Sequence, residues 1–228
     1  MTTPDVDSKQ GFVRKYLDPG ARITEVLFGL IMVLTFTLTA GLSVSEGKEG
    51  VRELLVAAIG CNIAWGIIDG AFYIMGELFS RGRRLRLARA LRAAPNEAAA
   101  VAAVSRELDD TLEPVTSADG RRCLYKDIVQ VVSRTEPPKN GIRKEDLYGA
   151  LASFWLVFFS ALPAAVPFLI FRDQPHFALR VSNGLLLALL FLVGWKWAEF
   201  TGGRRLVTGV VMTLLGGVLV ATAIALGG

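Results

Sequence analysis

The sequence predicts an all-α polytopic membrane protein with five transmembrane helices and a helical cytoplasmic insertion between the second and the third. The mean hydropathy of +0.45 is high for a soluble domain. The apolar residues fall into five blocks, each close to the about 20 residues with which an α-helix crosses a bilayer. A soluble protein with five buried core helices is the alternative, but 228 residues offer too little polar surface to wrap so much apolar helix.

The first, third and fifth blocks carry no charge. Between Glu25 and Glu46 lie 20 uncharged residues, between Asp146 and Arg172 lie 25, and 23 run from Leu206 to the last residue. The second block, 54–79, is broken by two carboxylates. The fourth, 177–197, has a basic residue near each end, whose long side chain can reach the membrane interface.

The polar stretch between the second and third blocks predicts three helical segments. The second membrane helix continues to Arg92, and Asn96 is a good N-cap for a helix from Glu97 to about Leu112. A further helix follows at about 121–133. We therefore predict four parts: a cytoplasmic N-terminal segment, membrane helices one and two, the cytoplasmic insertion, and membrane helices three to five, which cover residues 1–22, 23–79, 80–146 and 147–228.

The basic residues predict the orientation. With a cytoplasmic N-terminus, 21 of the 25 Lys and Arg residues lie inside, and the C-terminus lies outside. The pI near 9.3 then reflects attraction to anionic lipid headgroups. Without interleaved aromatic residues the charges do not form a nucleic-acid surface, so no nucleic-acid partner is predicted. The Ala, Arg and Leu content is typical of a bacterial inner membrane protein.

A polar row marks one face of the second membrane helix. Asn62, Gly66, Asp69, Tyr73 and Glu77 follow one another at intervals of three or four residues. An ionisable group at bilayer depth costs about 3 kcal/mol or more, so it usually faces a bundle interior, a partner or a water-filled path. We predict that this face lines an ion route, with Asp69 as the central ion-binding or proton-coupling group. Because burial disfavours its charged form, a proton and a cation compete for this carboxylate.

The first membrane helix offers an opposing face that carries Glu25 and Met32. If the two faces meet, Glu25 and Glu77 form a cytoplasmic mouth of carboxylates. Carboxylate oxygens suit hard or borderline divalent cations, and the sulfur atoms of Met32 and Met75 favour iron over magnesium.

Simpler roles remain open for these residues. Asp69 can hydrogen-bond to a neighbouring helix or to Asn183. Glu25 and Glu77 can be solvated or paired with arginines at the interface. Asn62, beside a small residue, can be a dimer contact, and the methionines can face lipid.

Short segments throughout the chain resemble one family of membrane proteins. They are, in chain order, Phe28-Gly29, Leu34-Thr35-Phe36, Met75-Gly76-Glu77, the stretch 158–163, Thr201-Gly202-Gly203 and Gly216-Gly217. With five membrane helices and an insertion after the second, the chain resembles the vacuolar iron transporter family of divalent-cation/proton exchangers over about residues 23–227.

The resemblance implies an activity and an assembly. Family members are homodimers that carry Fe2+ and related ions out of the cytosol in exchange for protons, along a path between the first two helices. We therefore expect an iron or manganese transporter that works as an antiporter, forms a homodimer and holds no tightly bound cofactor. Met75 and Glu77 match path-lining positions. Without a Gly-rich phosphate loop, a nucleophile elbow or a histidine cluster, the sequence predicts no enzyme.

Two departures from the family pattern support a second hypothesis. The aspartate that follows the family's Phe-Gly pair is missing, and Glu25, one turn nearer the cytoplasm, is the candidate replacement. The family's insertion collects metal through glutamates, whereas here Glu107, Asp110 and Glu113 share a helix face among fourteen basic residues and can equally form a solvated surface. The alternative function is a non-transporting membrane scaffold or regulator with the transporter fold.

Overall fold

The computed structural model describes residues 11–43, 48–135, 141–171 and 173–225. Within these ranges the secondary structure is helical, without β-strands. The helices are α1 (Phe12–Tyr16), α2 (Pro19–Ser43), α3 (Lys48–Arg92), α4 (Glu97–Leu112), α5 (Ala118–Arg134), α6 (Lys144–Ile170), α7 (Pro175–Thr201) and α8 (Arg205–Ala225).

Four helical segments are long and apolar enough to cross a membrane. They are Pro19–Thr37, Leu55–Arg92, Lys144–Ile170 and Pro175–Thr201. A shorter apolar stretch, Arg205–Leu219, lies in α8. The chain is therefore an all-helical multi-pass membrane protein, as predicted. Four of the five predicted spans are confirmed, and a fifth span in α8 stays a prediction.

Local capping accounts for the helix ends that differ from the sequence prediction. The first membrane helix begins at Pro19 because Pro suits the first helical position and the Asp18 side chain accepts a hydrogen bond from the Ala21 N–H at 3.0 Å. The helix predicted from residue 121 begins at Ala118, where Ser117 accepts a hydrogen bond from the Gly120 N–H.

Asn96 caps α4 as the sequence predicts. Its side chain accepts a hydrogen bond from the Ala99 N–H at 2.8 Å, and α4 ends at Leu112. The prediction that the second membrane helix continues past Glu77 is also confirmed, because α3 is a single helix of 45 residues. Residues 44–47 and 136–140 lie outside the described residues.

The chain divides into two compact units. The membrane unit comprises Met1–Tyr73 and Lys144–Gly228, and the insertion unit comprises Ile74–Arg143. Buried side chains of α2, α6 and α7 form the core of the membrane unit: Leu30, Val33, Leu34, Ala161, Ala164, Leu186 and Leu190. The core of the insertion unit is formed by the end of α3 together with α4 and α5: Leu91, Ala100, Val104 and Tyr125.

Glycines let α2 and α3 approach α6 closely. A Cβ atom on Gly29 of α2 would lie 3.0 Å from the Val157 carbonyl oxygen. A Cβ atom on Gly149 of α6 would collide with the ring of Tyr73, which belongs to α3. Small residues at such contacts are the usual means by which membrane helices pack tightly. These contacts fix the faces that α2 and α3 turn toward α6, and with them the position of the acidic residues.

Candidate functional site

Two acidic residues of the membrane unit form a pair. Glu25 of α2 and Asp69 of α3 are both half-buried, and their carboxyl groups lie next to each other. Ser153, a fully buried residue of α6, donates a hydrogen bond to Oε1 of Glu25 at 2.7 Å. Three membrane helices therefore converge on one polar site.

Two carboxylates in contact require a positive charge between them. Two like charges 4 Å apart repel by about 4 kcal/mol at an effective dielectric constant of about 20. A hydrogen bond between the carboxyl groups of Glu25 and Asp69 needs a proton on one of them, and a cation is the other species that removes the repulsion. The geometry therefore suits the alternate binding of a proton and a metal ion.

Buried acceptor atoms extend this site along α3. In the described part of the chain, Oδ2 of Asp69 and Oδ1 of Asn62 are buried and accept no hydrogen bond. The Asn62 amide nitrogen donates to the Ala58 carbonyl oxygen at 3.1 Å. Since such an unsatisfied group costs about 1–3 kcal/mol, both oxygens are available to a cation or its water. Seven residues separate them, which is about 10 Å along the helix.

Glu25 meets Asp69, a partner that the sequence analysis did not predict for it. The sequence places Glu25 at the cytoplasmic mouth and Asp69 nearer the midplane, whereas the structure puts the two side chains in contact. Glu77, the predicted partner of Glu25, is half-buried and belongs to the insertion unit. The Glu25–Glu77 mouth stays a prediction.

The two predicted sulfur ligands differ in exposure. Met32 is half-buried on α2, seven residues from Glu25 and so two turns along the same face. Met75 belongs to the insertion unit and is 61% exposed. Neither is placed in the Glu25–Asp69 site by any described contact, so their role as metal ligands stays a prediction.

The acidic row of α4 is partly engaged within the insertion unit. Glu107 forms an ion pair with Arg83, while Asp110 and Glu113 are exposed. Among the residues that the structure describes, no three His, Cys, Asp or Glu side chains come close enough together to hold a metal ion. Metal collection by this row stays a prediction.

Asp109, on the same helix, has a structural role. It accepts hydrogen bonds from Ser105 and from Tyr125, the latter at 2.6 Å, and Nε of Arg121 lies 3.4 Å away. The Ser105 and Tyr125 hydrogen bonds hold the pKa of Asp109 below its usual value, and burial raises the pKa of Tyr125. This carboxylate joins α4 to α5 and has little remaining capacity for a cation.

Ser153 is the site residue that the sequence analysis missed. The sequence contains a signal for it, because Ser153 and Ser160 stand seven residues apart in an otherwise apolar helix and so share one face. Both serines are buried in the structure. Asp69 pairs with Glu25, and Asn183 keeps a buried oxygen without a hydrogen bond in the described part of the chain. Gly66 packs against Phe154 of its own chain.

Comparison with known proteins gives one match. The sequence model of the VIT family matches residues 80–228, which is 149 of the 228 residues of the chain. The matched range covers the end of α3, then α4 and α5, and the three helices α6 to α8. It includes Ser153, whereas Glu25 and Asp69 precede it. No curated protein matches the chain.

Proposed function

The chain belongs to the vacuolar iron transporter (VIT) family, a family of metal-ion transporters, and from that premise we propose that it exports Fe2+ or Mn2+ from the cytosol in exchange for protons. The observation that carries the proposal is the contact between Glu25 and Asp69. An exchanger needs one site that accepts either ion, and a carboxyl pair with one shared proton is such a site.

The proposed cycle uses the pair in two states. In the first state a shared proton joins the Glu25 and Asp69 carboxyl groups. A divalent cation arriving from the cytosol displaces this proton into the cytosol and is bound by both carboxylates, while Ser153 holds the Glu25 carboxylate in place through its hydrogen bond. After the cation leaves toward the other side, a proton from that side restores the first state. The buried oxygen of Asn62, about 10 Å along α3, is the proposed next contact for the cation.

A homodimer would double this site. Two copies related by a twofold axis through α2 and α3 would supply four carboxylates to one path. Large apolar side chains on α3 support such a contact, since Ile67 and Phe72 are about 60% exposed and require lipid or a partner helix. The N-terminus is proposed to be cytoplasmic, because that orientation places most basic residues inside. The proposed cycle needs no enzymatic activity and no tightly bound cofactor.

A non-transporting scaffold or regulator is the second candidate function. The observation that favours it is the state of the insertion, where Glu107 is paired with Arg83 and Asp109 is hydrogen-bonded to Ser105 and Tyr125. Glu107 of the predicted metal-collecting row is thus engaged by the protein itself, as is the neighbouring Asp109.

Metal-dependent stabilisation separates the two functions. We expect Fe2+ (under anaerobic conditions) or Mn2+ to stabilise the purified protein by about 2.7 kcal/mol at 100 times the dissociation constant. Mg2+ should stabilise it less, since it dehydrates reluctantly. Thermal unfolding with Fe2+, Mn2+, Co2+, Zn2+ and Mg2+ measures this effect.

The control is the Glu53→Gln variant, because Glu53 is an exposed carboxylate on the same helix as Asp69. This variant should keep the metal-dependent rise in unfolding temperature, whereas the Asp69→Asn variant should lose it. If none of the five cations stabilises the parent protein, the scaffold function is the correct one.

A further inference from the structure

The membrane unit contains a groove of about 620 Å³ that the proposed transport cycle does not use. It is lined by residues of α1, α2, α6 and α7. Three cationic side chains, Arg14, Arg22 and Lys196, contribute to it. Most of the remaining wall is apolar and includes Val26, Leu30, Leu156, Leu189, Leu192 and Val193.

Charge and apolar surface are separated along the groove. Arg22 lies in the first turn of α2 and Lys196 near the end of α7, so the antiparallel helices place both cations at one end. Leu30 is eight residues beyond Arg22, and Leu189 is seven residues before Lys196. These separations correspond to about 12 Å and about 10 Å along the helix axes. The groove therefore has a cationic mouth and an apolar interior.

The mouth carries an excess of positive charge. No Asp or Glu is among the described residues that line the groove. Lys196 forms an ion pair with Glu199, which Arg205 also approaches to 3.7 Å, so this carboxylate is shared between two cations. A neighbouring cavity that includes Arg14 and Arg22 adds Lys15 and one carboxylate, that of Asp18, which accepts a hydrogen bond from the Ala21 N–H. An anionic group would be attracted to this mouth.

We propose that the groove binds one acidic phospholipid. Its headgroup phosphate interacts with Arg14, Arg22 and Lys196, and an acyl chain lies along the apolar wall formed by α2, α6 and α7. Lys and Arg side chains are attracted to anionic lipid headgroups, so three cations favour an acidic headgroup over a zwitterionic one. A free phosphate ion would leave the apolar wall unused. In the proposed orientation the mouth opens at the cytoplasmic leaflet, where acidic lipids are concentrated.

Lipid binding to the full-length protein in detergent tests this site. Native mass spectrometry should show one phosphatidylglycerol molecule retained per chain and at least tenfold weaker retention of phosphatidylcholine. The Arg22→Gln/Lys196→Gln variant should reduce phosphatidylglycerol retention at least tenfold. The matched control, Lys144→Gln/Arg204→Gln, removes two exposed cations outside the groove and should leave retention unchanged.

A second pair of variants tests the apolar part without changing charge. Leu192 lines the groove and is 58% exposed, so Leu192→Trp fills the space from an accessible position and should reduce phosphatidylglycerol retention. Leu187, on the same helix, is 37% exposed and outside the groove, so Leu187→Trp should not.

Three results would each overturn the proposal. The first is equal retention of phosphatidylglycerol and phosphatidylcholine. The second is an equal loss of phosphatidylglycerol retention in the two double variants. The third is displacement of phosphatidylglycerol by glycerol phosphate at the same concentration as the lipid. Because the readout is lipid binding, a failure here leaves metal transport untouched, and a failure of metal transport leaves this site untouched.

Discussion

The Asp69→Asn variant is expected to transport metal roughly 10 to 150 times more slowly than the parent protein. The substitution keeps the size of the side chain but removes one of the two charges that face the cation, and an interaction with a charged group is worth about 1.5–3 kcal/mol. It also prevents the residue from carrying the exchanged proton. The initial rate of Mn2+ flux into proteoliposomes under an imposed pH gradient measures the effect.

Asp127→Asn is the matched control for this experiment. Asp127 is an exposed residue of α5, so the same chemical change there should leave the flux within about twofold of the parent. Glu25→Gln should lower the flux about as much as Asp69→Asn, since both carboxylates belong to one pair. Parent-like flux in Asp69→Asn would remove the proposed mechanism.

The Gly194→Ala variant is expected to lose about 1–3 kcal/mol of stability, the usual cost of overpacking a tight contact. A Cβ atom on Gly194 of α7 would lie 2.7 Å from Cβ of Met212 and 2.8 Å from the Thr208 carbonyl oxygen. Both residues belong to α8, and the carbonyl oxygen is part of its backbone. The added methyl group can therefore be accommodated only if α7 and α8 move apart. Thermal unfolding in detergent measures the loss.

Gly184→Ala is the matched control, with the same substitution on the same helix. No atom lies within 4 Å of a Cβ placed on Gly184. The variant should be as stable as the parent or more stable by up to about 1 kcal/mol, because Ala favours a helix more than Gly does. Equal unfolding temperatures for the two variants would show that α7 and α8 do not pack as described.

The contact between Glu25 and Asp69 could have been predicted from the lengths of the two helices. Glu25 stands 18 residues before the end of α2, and Asp69 stands 21 residues after the start of α3. In an antiparallel hairpin these distances correspond to about 27 Å and 32 Å, so the two residues are level to within about one turn. The predicted bounds place them at different depths because they set the cytoplasmic ends of the two membrane helices level, at residues 23 and 79, whereas α3 continues as one helix to Arg92.

Other parts of the site depend on helix rotation, which apolar composition does not determine. The contact of Ser153 with Glu25 requires that α6 turn one particular face toward α2, and glycine contacts such as that of Gly29 with Ser160 set this rotation. The sequence does identify the membrane helices and the Asn96 cap, because length, hydropathy and capping are local properties. Contacts between side chains of different helices, such as that of Asp109 with Tyr125, are not local, so these properties do not predict them.

Proton release on metal binding tests the central claim most directly. Mn2+ is added to the purified protein in weakly buffered solution near neutral pH, and the released protons are counted against the bound metal. We expect about one proton per bound ion in the parent protein and none in the Glu25→Gln/Asp69→Asn variant. Metal binding without proton release in the parent, or equal release in the variant, would contradict exchange at this carboxyl pair.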